Sequence, residues 1–335
     1  MAELRFLDRQ LRPYSFAKQQ KNENDGNKKK EVILDGRFTV IKPSGWYMDQ
    51  SVFVARDMED SVPCLLYINR KDVDNGYRDS NFTRFLSECE GVRGWPKLIK
   101  RVSLEGVYSG IITSEQGETL KIIFGRTFAI SYKNAVRLCY QLFALLDTMH
   151  MLGYVHRAID TDSIRGHVDW NYEFVLGLNA FRYATRMEPA PACYGMQWKY
   201  SSVYVGNNLR YNRLDDFISV IYVILTSQGN DMLLSNADHA MGRKLAFHED
   251  PHAFLTDNRL HWIANVYQEL VHQRQNGFNR EAISALLDSA VEGFDPSSPL
   301  EWSILPGSSD VRLNPENVMV VPRVHAPEPI RVPHH

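Results

Sequence analysis

The sequence has no feature that would assign it at once to a membrane, to secretion or to nucleic acid. No apolar run approaches the roughly 20 residues that cross a bilayer, and residues 1–20 contain no apolar stretch typical of a signal peptide. The formal net charge is only −2, so no excess of basic residues favours nucleic acid or an anionic membrane. We therefore expect an intracellular protein, cytoplasmic or nuclear, that does not bind membranes.

Cysteine is also scarce. The cysteines are Cys64, Cys89, Cys139 and Cys193. They are far apart and form no CxxC pair, whereas structural zinc sites take ligands at short spacing. Reduced thiols are typical of intracellular proteins. The pattern therefore predicts buried free thiols and no metal site.

The composition is that of an ordinary globular protein, with 335 residues, 44% of them hydrophobic and 23% charged. Residues 19–30 are polar and charged, which predicts a flexible linker, and we assign residues 1–35 to an N-terminal extension. A folded domain is predicted over residues 36–305. The Pro- and Val-rich residues 306–335 are predicted to form an extended or disordered tail.

The two halves of the predicted domain differ in character. Strands are predicted over residues 38–41, 52–54, 65–68 and 107–112. Helices are predicted over residues 81–90, 131–152, 215–226, 260–271 and 280–291, with Ser131 as a helix cap. The fold class is therefore α+β, with two lobes: a small β-rich N-lobe over residues 36–117 and a larger α-helical C-lobe over residues 118–305.

The segment after the longest predicted helix carries the most informative motif. Residues 153–160 read GYVHRAID, which resembles the catalytic loop HRD-L-x-x-x-x-N of protein kinases with Ala158 in place of the aspartate. Residues 38–57 resemble the glycine-rich hairpin of kinases, residues 174–177 the DFG segment, and residues 214–219 the buried helix after the activation segment. Their order along the chain implies a protein-kinase-like fold.

Other stretches are similar to the casein kinase 1 superfamily, and above all to its tau-tubulin kinase-like members. They are GVRGWP at 91–96, QGETL at 116–120, FAIS at 128–131, YSS at 200–202 and RLDD at 213–216. The resemblance extends from Gly36 to Trp302. It implies the fold, whereas activity depends on the residues of the site.

The nucleotide-binding positions implied by the resemblance have lost their usual residues. The glycine positions of the phosphate loop fall on Gly45, Tyr47 and Gln50. Only the first is glycine, so the backbone is poorly suited to approach phosphates. The position of the ATP-anchoring lysine falls on Tyr67, and its glutamate partner falls on Phe82, or on Glu88 if the register is shifted.

The catalytic and metal-binding positions have changed in the same way. Ala158 has no group that accepts a proton, and Asp160 stands where the resemblance implies a lysine on the γ-phosphate. Ser163 replaces the metal-binding asparagine, and Val175 replaces the metal-binding aspartate of DFG. A valine cannot coordinate a hard cation. Of that triplet only Gly177 remains, so we expect neither ATP nor Mg²⁺ to bind.

The scaffold residues of the implied fold are retained. His156, Arg157 and Asp216 are present, and the resemblance implies that Asp216 accepts hydrogen bonds from the catalytic-loop backbone. Only one of the neighbouring Asp215 and Asp216 need be buried, and we expect it to be Asp216. An apolar lining is predicted to collapse into the cleft around Tyr67. This lining consists of Trp46, Tyr47, Tyr67, Phe82, Val175 and Leu176.

The pattern therefore predicts a catalytically inactive casein kinase 1-like pseudokinase, a protein-binding scaffold or regulator whose partners are other proteins. The alternative is an active atypical Ser/Thr kinase that uses Asp160 or Asp162 as a relocated base. A third hypothesis, an adaptor associated with nucleic acid, is disfavoured by the absence of a basic excess.

Overall fold

The computed structural model describes residues 32–47, 50–70, 77–104, 108–115, 117–127, 129–169, 171–179, 181–187, 199–229, 237–304 and 310–314. The predicted linker, residues 19–30, lies outside the described residues, as do Cys193 and residues 315–335 of the predicted tail. Among the described residues, no helix combines the length and the apolar character that crossing a membrane requires.

Six antiparallel strands form the main sheet, in the order β1-β2-β3-β4-β6-β5. They are β1 (Val32–Leu34), β2 (Phe38–Tyr47), β3 (Gln50–Asp57), β4 (Pro63–Arg70), β5 (Leu98–Leu104) and β6 (Tyr108–Ser114). Successive side chains of a strand point to opposite faces. In the central strand β4, Leu66 therefore packs into a small core on one face, while Leu65 and Tyr67 pack into the main core on the other.

A helix, α1 (Tyr77–Glu88), follows β4 and packs against the sheet. The chain then continues after β6 through short elements into a long helix. These elements are β7 (Glu118–Thr119), α2 (Leu120–Gly125) and α3 (Tyr132–Met151). The Ser131 side chain caps α3 by accepting from the backbone N–H of Asn134, and Gly153 follows it with φ of 80°, a left-handed conformation that suits glycine.

The second half of the chain is mainly helical. Its elements are β8 (Tyr154–Val155), β9 (Ile164–Val168), β10 (Phe174–Leu178), β11 (Thr185–Arg186), α4 (Val203–Gly206), α5 (Arg213–Ser227), α6 (Ala237–Glu249), α7 (Pro251–Phe254), α8 (His261–Asn276), α9 (Arg280–Asp288), β12 (Trp302–Ile304) and β13 (Val311–Leu313). The α+β class is confirmed. So are the helices predicted within α1, α3, α5, α8 and α9, whereas α6 was not predicted.

Three of the four thiols can be located. Cys64, Cys89 and Cys139 are buried and free, as predicted. Burial raises the pKa of the Cys64 and Cys89 thiols to about 11, so both are protonated and unreactive at neutral pH.

The folded part of the chain extends past the predicted boundary at residue 305. Strand β13 lies in the predicted tail, yet it pairs with β12, and Leu313 is buried. The hairpin is held to the start of α3: the Asn134 side-chain amide donates to the Glu301 carbonyl at 2.9 Å, and Arg137 forms an ion pair with Glu301 at 2.8 Å. The boundary was misplaced because these contacts are distant in sequence.

A second, small sheet has the strand order β10-β9-β7. Its register places Arg165 opposite Gly177 on one side and opposite Thr119 on the other. Directly opposed residues of antiparallel strands share a face. Arg165 and Gly177 therefore point to the same face of this sheet, while Gly166 belongs to the other face, where Phe174 packs.

Gly166→Ala tests the packing of this small sheet. A Cβ atom at residue 166 would lie 2.2 Å from the buried Phe174 ring, so we expect the free energy of unfolding to fall by about 1–3 kcal/mol. The matched control is Gly242→Ala in α6, where a Cβ meets nothing within 4 Å. The control should be neutral or stabilising by up to about 1 kcal/mol. Equal effects in urea titrations would contradict the packing of β9 against Phe174.

Candidate functional site

The buried carboxylate of Asp216, near the start of α5, organises the loop that follows β8. Its Oδ1 accepts from the Arg157 backbone N–H at 2.8 Å and the Tyr211 hydroxyl at 2.7 Å. Its Oδ2 accepts from the His156 backbone N–H at 2.9 Å and His150 Nε2 at 3.0 Å. Burial raises the pKa of Asp216, but these partners outweigh it and hold the pKa below its ordinary value. The loop backbone is thereby fixed, including Arg157 at φ of 69°.

Asp216 is buried as expected, and Asp215 is also fully buried, although the expectation required burial of only one of the two. The Asp215 carboxylate accepts from the Asn212 backbone N–H at 2.7 Å and the Ser202 hydroxyl at 2.6 Å. Arg274 of α8 contacts it at 3.2 Å. Burial raises the pKa of Asp215, and Arg274 partly offsets this. Helix α8 covers the start of α5, which the local sequence does not reveal.

Tyr67 and Phe82 face each other in the core between β4 and α1. Their ring centroids are 5.8 Å apart in an edge-to-face arrangement, and both side chains are 2% exposed. Burial raises the pKa of Tyr67 to about 12, so its hydroxyl is neutral at pH 7 and donates to Asn179 Oδ1 at 2.8 Å. Glu88, the alternative to Phe82, contacts Arg186 at 3.4 Å instead.

The aromatic contacts continue from α1 to the loop after β8. The Phe181 ring, which is fully buried, lies 5.2 Å from the rings of Phe82, Phe85 and His156. Of the predicted apolar lining, Val175 and Leu176 are also buried, at 7% and 3% exposure. The side chains of Trp46 and Tyr47 lie outside the described residues.

Asn179 is a site residue that the sequence analysis missed. It follows β10 directly. Its side-chain Oδ1 accepts from the Tyr67 hydroxyl, and its backbone N–H donates to the Ser163 carbonyl at 2.8 Å. Its carbonyl accepts from His156 Nε2 at 2.8 Å, while His156 Nδ1 accepts from the Ala158 N–H at 3.3 Å. Since each ring nitrogen then has a distinct role, the network assigns the proton to Nε2. Burial also lowers the pKa of His156, so the ring is neutral.

Val175, which the resemblance implies stands in place of a metal-binding aspartate, lies in the middle of β10 opposite His167. The residue that meets Tyr67 is Asn179, beyond the end of that strand. The resemblance implies that Gly177 corresponds to the glycine of DFG. In the structure Gly177 lies opposite Arg165 inside the β9–β10 pair. An asparagine side-chain oxygen is a possible metal ligand, but here it accepts from Tyr67.

Asp160 and Ser163 close a tight turn after Ala158, whose methyl side chain is 3% exposed. Asp160 Oδ1 accepts from the backbone N–H groups of Asp162 at 2.9 Å and Ser163 at 2.6 Å. The Ser163 hydroxyl accepts from the Asp160 N–H at 2.8 Å and donates to its carbonyl at 3.0 Å. Asp162 pairs with Lys121 at 3.0 Å. The polar side chains of Asp160, Asp162 and Ser163 therefore all have partners within the protein.

Arg165 is the second site residue that sequence reasoning missed. Its side chain is only 8% exposed, and Nη1 donates to the Gly117 carbonyl at 2.7 Å. Burial raises the pKa of both Tyr67 and Glu115, and the Arg165 charge partly offsets this in each case. A guanidinium therefore lies between β9 and the segment that connects β6 to β7. An isolated arginine in a strand gives no sequence signal for such a position.

The β2–β3 hairpin carries the predicted glycine positions. Gly45 pairs with Val52, and Tyr47 pairs with Gln50, with register shifts near Pro43. The described backbone is therefore a paired hairpin at these residues. The side chains of residues 44–51 lie outside the described part of the chain.

Within the described residues, no group of three or more His, Cys, Asp or Glu side chains is placed to hold a metal ion. No protein-family model matches the chain, and no match was found among the curated proteins. Function therefore has to be inferred from the geometry of the site.

Replacing either buried aspartate at the start of α5 should destabilise the protein. Asp216→Ala removes the acceptor of two backbone N–H groups, and Asp215→Ala leaves the Arg274 charge without its carboxylate. We expect each to lower the free energy of unfolding by about 2 kcal/mol or more. Asp250→Ala, which removes a cap from the short helix α7, should cost about 1 kcal/mol. Losses below 1 kcal/mol for both aspartates in denaturant titrations would contradict this arrangement.

Asp160, in the turn after Ala158, should make the stability of the protein depend on pH. Burial raises the pKa of Asp160 to about 6 from 3.8. Between these values the folded protein binds more protons than the unfolded chain, so this group's contribution to stability falls as pH rises. Asp160→Asn removes the charge and keeps an oxygen acceptor for the turn. Relative to the wild type, its free energy of unfolding should therefore increase by about 1–3 kcal/mol from about pH 4 to about pH 7.

The control for this measurement is Asp162→Asn. Its carboxylate is 43% exposed and pairs with an exposed lysine, so its removal should change stability little at every pH. If Asp160→Asn tracked the wild type across the whole pH range, a raised pKa at the partly buried Asp160 would be ruled out.

Proposed function

We propose that this protein is a catalytically inactive, casein kinase 1-like pseudokinase that acts as a protein-binding scaffold or regulator. The order of the elements supports a two-lobed kinase-like arrangement. A β-sheet carrying α1 between β4 and β5 precedes a helical half, and the HRA loop follows the long helix α3. The Asp216 hydrogen bonds to the backbone of His156 and Arg157 match the scaffold role that the resemblance implies.

The contact between Tyr67 and Asn179 is the observation that carries the proposal. Phosphoryl transfer depends on positive charge and metal ions placed at the phosphates. At the position assigned to the ATP-anchoring lysine, a neutral phenol donates to an amide oxygen at 2.8 Å. Both groups are buried, and a nucleotide phosphate would have to break this bond without gaining a cation from it.

An active kinase with a relocated base is less well supported. Asp160 Oδ1 already accepts from two backbone N–H groups, and Asp162 is paired with Lys121. A general base must reach the substrate hydroxyl. Moving Asp160 for this purpose would leave the N–H of the fully buried Ser163 without its acceptor.

A closed cleft suits a binding module. The packed aromatic side chains and internal hydrogen bonds fix α1 against the loop after β8. A surface that is already ordered loses less conformational entropy when a partner binds. We therefore propose that other proteins are the partners and that they recognise the assembled exterior of the fold.

The proposal predicts that the wild type neither transfers phosphate nor is stabilised by ATP with Mg²⁺. A ligand that binds the native state raises the melting temperature in a saturable way, so thermal unfolding with and without the nucleotide measures binding. Radiolabelled ATP with acidic and phospho-primed peptides measures transfer, with an active casein kinase 1 as the positive control. Stoichiometric labelling that disappeared in Asp162→Ala would overturn the proposal in favour of the active kinase.

A further inference from the structure

The buried guanidinium of Arg165 contacts the segment that connects the two halves of the chain. It lies on the face of β9 that Gly177 of β10 shares, and its Nη1 donates to the Gly117 carbonyl at 2.7 Å. We propose that this space is a guanidinium-binding site, which the chain fills with its own Arg165 and so closes the cleft with an internal ligand. The inference rests on the proposed function, because it explains how a cleft without nucleotide is filled.

The acceptor in this site is held rigidly. Gly117 has φ of 77°, and a Cβ there would lie 2.2 Å from the Gly166 carbonyl oxygen and 2.7 Å from His167. Because the connection packs this closely on β9, the direction of the Gly117 carbonyl is fixed. A preformed acceptor loses little entropy when it binds a donor.

The register of the small sheet leaves room for the arginine. Gly177 lies directly opposite Arg165 on β10, and the two positions share a face. Since glycine has no side chain, the long arginine stem can lie across this position. On the other side of β9, the strand that pairs with it, β7, contains only two residues.

Two further groups favour a planar cation over a neutral group. The Glu115 carboxyl is partly buried, and the Arg165 charge lowers the pKa of Glu115 and of Tyr67 against the larger effect of burial. A guanidinium offers several N–H donors in one plane and is more weakly hydrated than an ammonium. The site should therefore accept guanidines and amidines and discriminate against neutral molecules of the same shape.

Chemical rescue tests this inference. Arg165→Ala removes the internal ligand, and ethylguanidine replaces the atoms that the substitution deletes. We expect Arg165→Ala to melt at a lower temperature than the wild type, and millimolar ethylguanidine to raise its melting temperature in a saturable way by about 2 °C or more. Ethylurea, which has a similar shape but no charge, should give no such increase.

Arg165→Met is the matched control, since its side chain refills the space without donors and should not respond to ethylguanidine. No saturable increase in folded Arg165→Ala, or an equal increase in the wild type or in Arg165→Met, would overturn the inference. If Arg165→Ala does not fold, hydrogen exchange of the wild-type arginine side chain decides the question by NMR. Slow exchange of the Arg165 N–H groups with water supports the internal ligand, and exchange as fast as that of Arg93, which is 59% exposed, overturns it.

Failure of this inference is distinguishable from failure of the proposed function. Phosphate transfer by the wild type would refute the pseudokinase. Absence of rescue, in a protein that transfers no phosphate, refutes only the guanidinium site.

Discussion

The fully buried carboxylate of Asp216 is the constraint on which the site depends. An uncompensated charge at that depth would be strongly unfavourable, so the loop after β8 must bring its N–H groups to the carboxylate oxygens. His156 and Arg157 do so at 2.9 and 2.8 Å. Once their backbone is fixed, the His156 ring is directed at the Asn179 carbonyl. This hydrogen bond holds Asn179 at the end of β10, and Asn179 Oδ1 is the acceptor of the Tyr67 hydroxyl.

The same rule of polar satisfaction accounts for the other hydrogen bonds of the candidate site. A buried donor or acceptor without a partner costs about 1–3 kcal/mol, and three buried polar side chains of the site each have a local partner. Tyr67 bonds to Asn179, Ser163 bonds to Asp160, and Arg165 bonds to Gly117. These three buried groups therefore already have hydrogen-bond partners within the chain. Under the proposed function, the catalytic chemistry is lost while the fold is maintained.

The sequence predicted the parts of the structure that depend on local pattern. Apolar spacing and the Ser131 cap located α3, and the order of motifs led to Asp216 and to the contact between Tyr67 and Phe82. What it missed depends on tertiary contacts. Asn179 was overlooked because its contact with Tyr67 is distant in sequence, and the buried Asp215 is paired with Arg274 in a distant helix. The position of the Arg165 side chain depends on Gly177, which lies opposite it on the neighbouring strand. The order of residues along the chain does not reveal this pairing.

A crystal structure of the wild type grown with ATP and Mg²⁺ tests the central claim most directly. The account predicts that the Tyr67 hydroxyl remains about 2.8 Å from Asn179 Oδ1, that Arg165 remains on the Gly117 carbonyl, and that no nucleotide lies between β4 and β9. A bound nucleotide, with Tyr67 turned out of the core and a metal ion between its phosphates and Asn179, would contradict it.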